Sequence, residues 1–177
     1  RTATRDDGFF VGAVGQIEAA NQAGDPNDEK VREKALERLH EAVRLLGLIE
    51  SDEQERASGL AKVGNGFGMF GRRDLARDHL DRSAALYLRL GLKREAISVL
   101  IDRQGQADAP IDFVAINDSV RAMAVELGDR RLEASAMIQV GTGYFNLGEF
   151  TKAAATLEQA LSIALALGDM RKAAAAY

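Results

Sequence analysis

A pattern of small and apolar residues recurs along this sequence at intervals of about 40 residues. Its clearest copy lies at 137–169, where Ala153, Leu157 and Ala160 share one face of a predicted helix. Related triplets begin at Ala35, Ala76 and Phe113, so that successive copies start 41, 37 and 40 residues apart. A single pair of helices cannot bury its own apolar face, so a repeat of this length predicts a stack of helical hairpins.

Two further markers follow the same period. Val-Gly pairs occur in the first helix of three hairpins: Val14-Gly15, Val63-Gly64 and Val140-Gly141. Leu-Gly pairs stand where second helices are expected to end: Leu90-Gly91, Leu127-Gly128 and Leu167-Gly168. Small residues at fixed sites let two helices approach closely, and Gly64 is therefore interpreted as a packing glycine, whereas Gly66 and Gly68 are expected to weaken their helix.

The sequence predicts an all-α chain. Alanine, leucine, glutamate and arginine dominate, the two prolines fall in predicted turns, and strictly alternating β-branched runs are missing. Asn27 or Asp28 is expected to cap one helix and Ser51 the next. We predict a single domain over 1–177, made of four hairpins and a partial helix, at approximately 8–48, 52–91, 93–128, 130–168 and 170–177. The start at Arg1 and the end inside a predicted helix suggest a fragment of a longer protein.

Composition and net charge argue against several classes of function. A net charge of −4 argues against nucleic acid as a partner, because phosphate-binding surfaces carry a basic excess. The sequence contains no cysteine, which excludes disulfides, thiolate metal sites and a cysteine nucleophile. No apolar run is long enough to enter a membrane as a spanning helix, and a cytoplasmic location is the expectation.

Two histidines and a glycine-rich stretch could suggest a catalytic or phosphate-binding site, but each has a simpler structural explanation. His40 and His79 have no nucleophile or partner base in a recognisable pattern, so they are interpreted as surface or interface histidines. The glycines of 63–68 lie inside a predicted helix, whereas a phosphate-binding loop follows a strand. We therefore expect no enzyme activity, no metal site and no cofactor.

The best copy resembles the tetratricopeptide repeat. Val140-Gly141, Tyr144, Gly148 and the triplet beginning at Ala153 match that family's pattern, although Met137 replaces the usual aromatic residue and the proline after the second helix is missing. The period of about 40 is similar to the longer variant of polarity-scaffold proteins, kinesin-light-chain-type proteins and bacterial regulators. The resemblance implies a right-handed αα superhelix, or solenoid, that binds peptides or protein segments in a concave groove.

The same resemblance identifies candidate groove residues. They are Ser58, Lys62, Asn65 and Met69 in the second hairpin, Asp102 in the third, and Gln139, Thr142, Phe145 and Asn146 in the fourth. Asp102 stands where a clamp for a carboxylate would need a cation, which argues against a C-terminal carboxylate as ligand.

The leading hypothesis is a non-enzymatic scaffold that binds a protein or peptide ligand. One alternative is a regulatory or sensor domain of a larger bacterial signalling protein, such as a transcription regulator or a signalling enzyme. Another is self-assembly into a homo-oligomer through the open ends of the solenoid.

Overall fold

A computed structural model describes residues 5–176, and these form nine α-helices. Their bounds are α1 Arg5–Asn21, α2 Glu29–Leu46, α3 Glu53–Met69, α4 Arg73–Arg89, α5 Lys93–Gln104, α6 Pro110–Glu126, α7 Arg130–Asn146, α8 Phe150–Ala166 and α9 Met170–Ala176. No strand occurs within 5–176, so the all-α prediction is confirmed. Tyr177, the last residue of the predicted partial helix, lies outside the described residues.

The helices form two compact units, residues 1–106 and residues 107–177. In unit 1, α1 packs on α2 and α3 packs on α4, with α5 against α4. In unit 2, α7 packs on α6 and α8, and α9 packs on α8. The division falls between α5 and α6, inside the predicted third hairpin, and the single domain over 1–177 stays a prediction.

Aspartates cap the starts of α2 and α3. The Asp28 carboxylate accepts hydrogen bonds from the backbone N–H groups of Lys30 and Val31, at 2.9 and 3.3 Å. Asp52 caps α3 by accepting from the Glu55 N–H at 2.9 Å, so the prediction of Ser51 as the cap is wrong. The Ser51 N–H instead donates to the Asp6 carboxylate at 2.7 Å and ties α1 to the loop before α3.

The Leu-Gly pairs end helices sharply. Gly148, directly after Leu147, has a φ of 76°, a left-handed conformation that favours glycine. The next N–H, that of Glu149, bonds back to the Tyr144 carbonyl at 3.0 Å and satisfies an otherwise unpaired acceptor. The chain can therefore reverse within two residues and start the next helix of the pair.

Glycines on α3 let the core of unit 1 close. A Cβ atom added to Gly64 would lie 2.8 Å from Leu80 Cγ, so its prediction as a packing glycine is confirmed. Gly66, expected only to weaken the helix, also packs, since an added Cβ would lie 2.7 Å from Leu39 Cδ2. Gly15, the same marker in the first hairpin, is exposed and has no neighbouring atom within 4 Å of such a Cβ. The shared Val-Gly pair therefore does not imply shared packing.

Two buried polar residues that replace apolar or small residues of the repeat pattern are compensated by hydrogen bonds. Ser83 takes the place of the repeat's alanine in α4, is fully buried, and donates to the Ala57 carbonyl at 2.7 Å. In the degenerate copy, the buried Asn117 amide donates to the Phe113 carbonyl one turn earlier, at 2.8 Å. Each polar side chain is thus satisfied inside the core.

Candidate binding grooves

Four of the predicted groove residues meet in one place. Ser58, Lys62 and Asn65 lie on one face of α3, and Asp102 lies on α5. Together they line a groove of about 240 Å³, called here the α3–α5 groove. Its other lining residues are Ala61, Tyr87, Glu95, Ser98 and Val99.

The polar groups of the α3–α5 groove hold one another in place. The Asn65 amide donates a hydrogen bond to the Asp102 carboxylate at 2.7 Å, which links the third and fifth helices. An asparagine amide has two donors and an acceptor, so this bond leaves hydrogen-bonding capacity for a ligand. Lys62, one turn before Asn65 on the same face, is exposed.

Tyr87 closes the floor of the groove from α4. It is 7% exposed, and its hydroxyl is hydrogen-bonded to the Ser58 side chain. Burial raises the pKa of Tyr87 above its ordinary value, more than the Ser58 hydrogen bond lowers it, while the nearby Glu95 carboxylate also raises it. The phenol therefore stays protonated at neutral pH and remains a hydrogen-bond donor.

A second hollow of about 370 Å³ adjoins the α3–α5 groove and shares Ser58 and Tyr87 with it. Its other lining residues are Phe10 of α1 and, at the start of α3, Asp52, Gln54 and Glu55. The two hollows form one continuous surface with an aromatic ring at one end. Acidic groups outnumber basic ones along it, an arrangement that disfavours an anionic ligand.

Three polar lining residues of the α3–α5 groove were not predicted from the sequence. Glu95 and Ser98 precede Asp102 by seven and four positions on α5, so they share its helix face, and this spacing could have identified them. Tyr87 belongs to a second helix and reaches the groove only through the packing of α4 on α3 and α5. The fifth candidate of unit 1, Met69, is 53% exposed at the end of α3 and is not among the lining residues.

The predicted residues of unit 2 are more dispersed. Phe145 is 60% exposed and packs edge-on against Phe150, with ring centroids 5.5 Å apart. The Thr142 hydroxyl donates to the Ile138 carbonyl of its own helix at 2.9 Å. Asn146 is exposed and Gln139 is half-buried.

Of these four, Phe145 lines an apolar groove of about 560 Å³, called here the α8 groove. Its other lining residues are Phe150, Ala153, Ala154, Leu157, Glu158, Leu161 and Ala176. Among the described residues that line it, Glu158 alone is charged, and in the repeat register it corresponds to Asp81 of unit 1. In unit 1 the buried Arg103 guanidinium donates a hydrogen bond to the Asp81 carboxylate at 2.9 Å. The end of α5 therefore covers the surface of α4 that corresponds to the α8 groove.

The histidines pack around an aromatic ring. Phe67 is fully buried, the His79 ring stacks on it at 5.4 Å, and the His40 ring meets it edge-on at 5.2 Å. Burial lowers the pKa of His79 below its ordinary value, which favours the neutral imidazole. Within 5–176 no three His, Asp or Glu side chains are grouped so that they could hold a metal ion.

Both units are built from paired helices in the manner of tetratricopeptide-like helical repeats, and comparison with solved structures confirms the predicted fold class. A kinesin light chain-like protein of Podosopora anserina with nearly identical TPR-like repeats aligns with a TM-score of 0.65 and 15% identity, covering 93% of this chain and 84% of that one. A single-residue variant of that protein aligns with a TM-score of 0.58 and 17% identity over the same shares of the two chains.

Sequence comparison adds nothing to this structural likeness, since no family model and no curated protein matches the chain. At 15–17% identity the likeness concerns the fold alone. No helix among residues 5–176 has the length and apolar character needed to cross a membrane.

Proposed function

We propose that this chain is a protein-interaction scaffold that binds a peptide or protein segment along the α3–α5 groove. The observation that carries the proposal is the convergence of Ser58, Lys62, Asn65 and Asp102 on one surface. The resemblance to the tetratricopeptide repeat predicts the same four residues as groove residues. Helical-repeat proteins use extended surfaces of this kind for binding.

The chemistry of the groove suits a peptide backbone. A bound segment has regularly spaced N–H and C=O groups, and the groove offers the Asn65 amide, the Ser98 hydroxyl and the Tyr87 phenol as partners. Hydrogen bonds between Asn65 and Asp102 and between Ser58 and Tyr87 fix these side chains beforehand. Less side-chain freedom is then lost on binding.

The experiment uses peptides selected from a displayed random library against the chain, followed by fluorescence polarisation with a labelled peptide. Asn65→Arg places a large cation in the groove and removes the amide, so we expect affinity to fall about tenfold or more. Gln159→Arg is the matched control, because it also replaces a side-chain amide by a guanidinium, at an exposed site on α8 outside the α3–α5 groove.

Equal loss of affinity in both variants, or full affinity in Asn65→Arg, would show that the peptide does not bind in the α3–α5 groove. Circular dichroism of each variant checks that helical content is unchanged.

Self-association is a second candidate function, and the α8 groove is the observation that favours it. Phe150 is 62% exposed and Phe145 is 60% exposed beside it, so two aromatic rings face solvent on one surface. Contiguous exposed apolar surface of this kind is typical of interfaces. A role as the sensor or regulatory part of a larger signalling protein, and a cytoplasmic location, stay predictions from the sequence.

A further inference from the structure

Unit 1 contains a further hollow, on the other side of α3 from the α3–α5 groove. It has a volume of about 450 Å³, and side chains of α2, α3 and α4 line it. On α3 the lining residues are Arg56 and Leu60, each two positions from a residue of the α3–α5 groove. Two positions correspond to about 200° around a helix, so α3 separates the two surfaces.

The floor of this hollow is apolar. Leu46, Leu60 and Leu86 contribute buried side chains, and Val43 and Ala85 complete the apolar lining. A volume of 450 Å³ falls within the range of about 300–1,000 Å³ that is common for small-molecule sites.

The rim of the hollow is cationic. Arg56, Arg82 and Arg89 line it, and none of the described residues that line it is acidic, although the whole chain has a net charge of −4. Arg82 and Arg89 are two helical turns apart on one face of α4, and Arg56 faces them from α3. We call this site the arginine-rimmed hollow.

The arginines have partners outside the hollow, but these do not neutralise the rim. Glu53 is shared between Arg89 and Arg56, and Asp78 pairs with Arg82 at 3.3 Å. The Arg82 and Arg89 side chains are 56% and 60% exposed. Exposed ion pairs contribute little to stability, so an incoming anion can replace these carboxylates or share the guanidinium groups with them.

We propose that the arginine-rimmed hollow binds a small organic carboxylate with an apolar body. The apolar chain would lie on the three leucines, and the carboxylate would accept hydrogen bonds from the rim guanidinium groups. This site is distinct from the α3–α5 groove, and its test does not depend on a peptide ligand.

The experiment records ¹H–¹⁵N spectra of the whole chain during titration with three probes that share an eight-carbon chain. Octanoate carries a carboxylate, 1-octanol is neutral, and octyltrimethylammonium is a cation. All are kept below the concentrations at which they aggregate. We expect octanoate to shift the amides around Leu46, Leu60 and Leu86 and to bind about tenfold tighter than 1-octanol, because charge-assisted hydrogen bonds add to the apolar contact.

Three variants locate the site. Arg82→Gln combined with Arg89→Gln should weaken octanoate about tenfold and leave 1-octanol unchanged. Arg32→Gln removes the same charge from an exposed site on α2 outside the hollow and should have no effect. Ala85→Phe fills the hollow from an exposed lining position and should abolish binding of both probes.

The proposal is overturned if octanoate and 1-octanol bind equally, if octanoate shifts amides away from the hollow, or if no probe binds. It is also overturned if the double arginine variant, folded by its urea midpoint, binds octanoate like the parent chain.

Discussion

Two glycines that share one sequence marker should respond in opposite directions to the same substitution. Gly15 follows Val14 on α1, and Gly64 follows Val63 on α3. Gly15 is exposed, and a methyl group there would meet no atom within 4 Å. A methyl group on Gly64 would lie 2.8 Å from Leu80 Cγ and 3.1 Å from the Ala76 carbonyl oxygen.

The expected magnitudes come from two opposing contributions. Alanine favours a helix interior over glycine by about 0.5–1 kcal/mol, and this gain is common to both sites. Only Gly64→Ala also overpacks the core, which costs about 1–3 kcal/mol. The Leu80 side chain can adjust its rotamer, but the Ala76 carbonyl belongs to the α4 backbone and cannot move without shifting that helix.

We therefore expect Gly15→Ala to raise the free energy of unfolding by about 0.5–1 kcal/mol. The free energy of unfolding of Gly64→Ala should be about 1–3 kcal/mol lower than that of Gly15→Ala. Urea titration followed by circular dichroism measures both values. Both sites lie in unit 1, so both variants report on the unfolding of the same unit. If Gly64→Ala stabilises the chain as much as Gly15→Ala does, α3 and α4 are not packed as described.

Two more predictions concern His79 and the α8 groove. Because burial holds the pKa of His79 below its ordinary value of 6.5, the unfolded chain takes up a proton first as the pH falls, so stability should be full above about pH 6.5 and decline below it. Between about pH 7.5 and 5.5, the urea midpoint should fall in the parent chain and in the control His40→Gln, and it should fall much less in His79→Phe. If the midpoint of His79→Phe falls as steeply with pH as that of the parent chain, other groups cause the effect. Self-association should appear in light scattering as a mass that rises with concentration, and Phe150→Glu should prevent it by placing a charge in the α8 groove. A parent chain that stays monomeric at millimolar concentration would exclude this assembly.

The repeat pattern was sufficient to predict the helices. The inward face of α8 is predicted by the spacing of Ala153, Leu157 and Ala160. The Leu-Gly pairs predict where α4, α6 and α8 end. These features depend on local spacing and on backbone conformation, which neighbouring residues determine.

Features that depend on packing between helices could not be predicted in the same way. The Val-Gly marker does not reveal that Gly15 is exposed while Gly64 is buried against Leu80. Tyr87 likewise enters the α3–α5 groove only because α4 packs against both other helices. Sequence spacing orders residues along one helix but does not determine which side chain of a neighbouring helix meets them.

The groove residues illustrate the same limit. The resemblance to the tetratricopeptide repeat predicts Ser58, Lys62 and Asn65 as groove residues, and the hydrogen bond from Asn65 to Asp102 joins them to α5. Met69 follows the same helix but lies beyond the lining residues, at the end of α3 where the chain turns away.

The most direct test of the scaffold proposal is to map where a selected peptide binds. ¹H–¹⁵N spectra of the chain, recorded as the peptide is added, should show shifts at Ser58, Asn65 and Ser98 that saturate with the affinity measured by polarisation. Shifts confined to α8, or to the arginine-rimmed hollow on the other side of α3, would contradict binding in the α3–α5 groove.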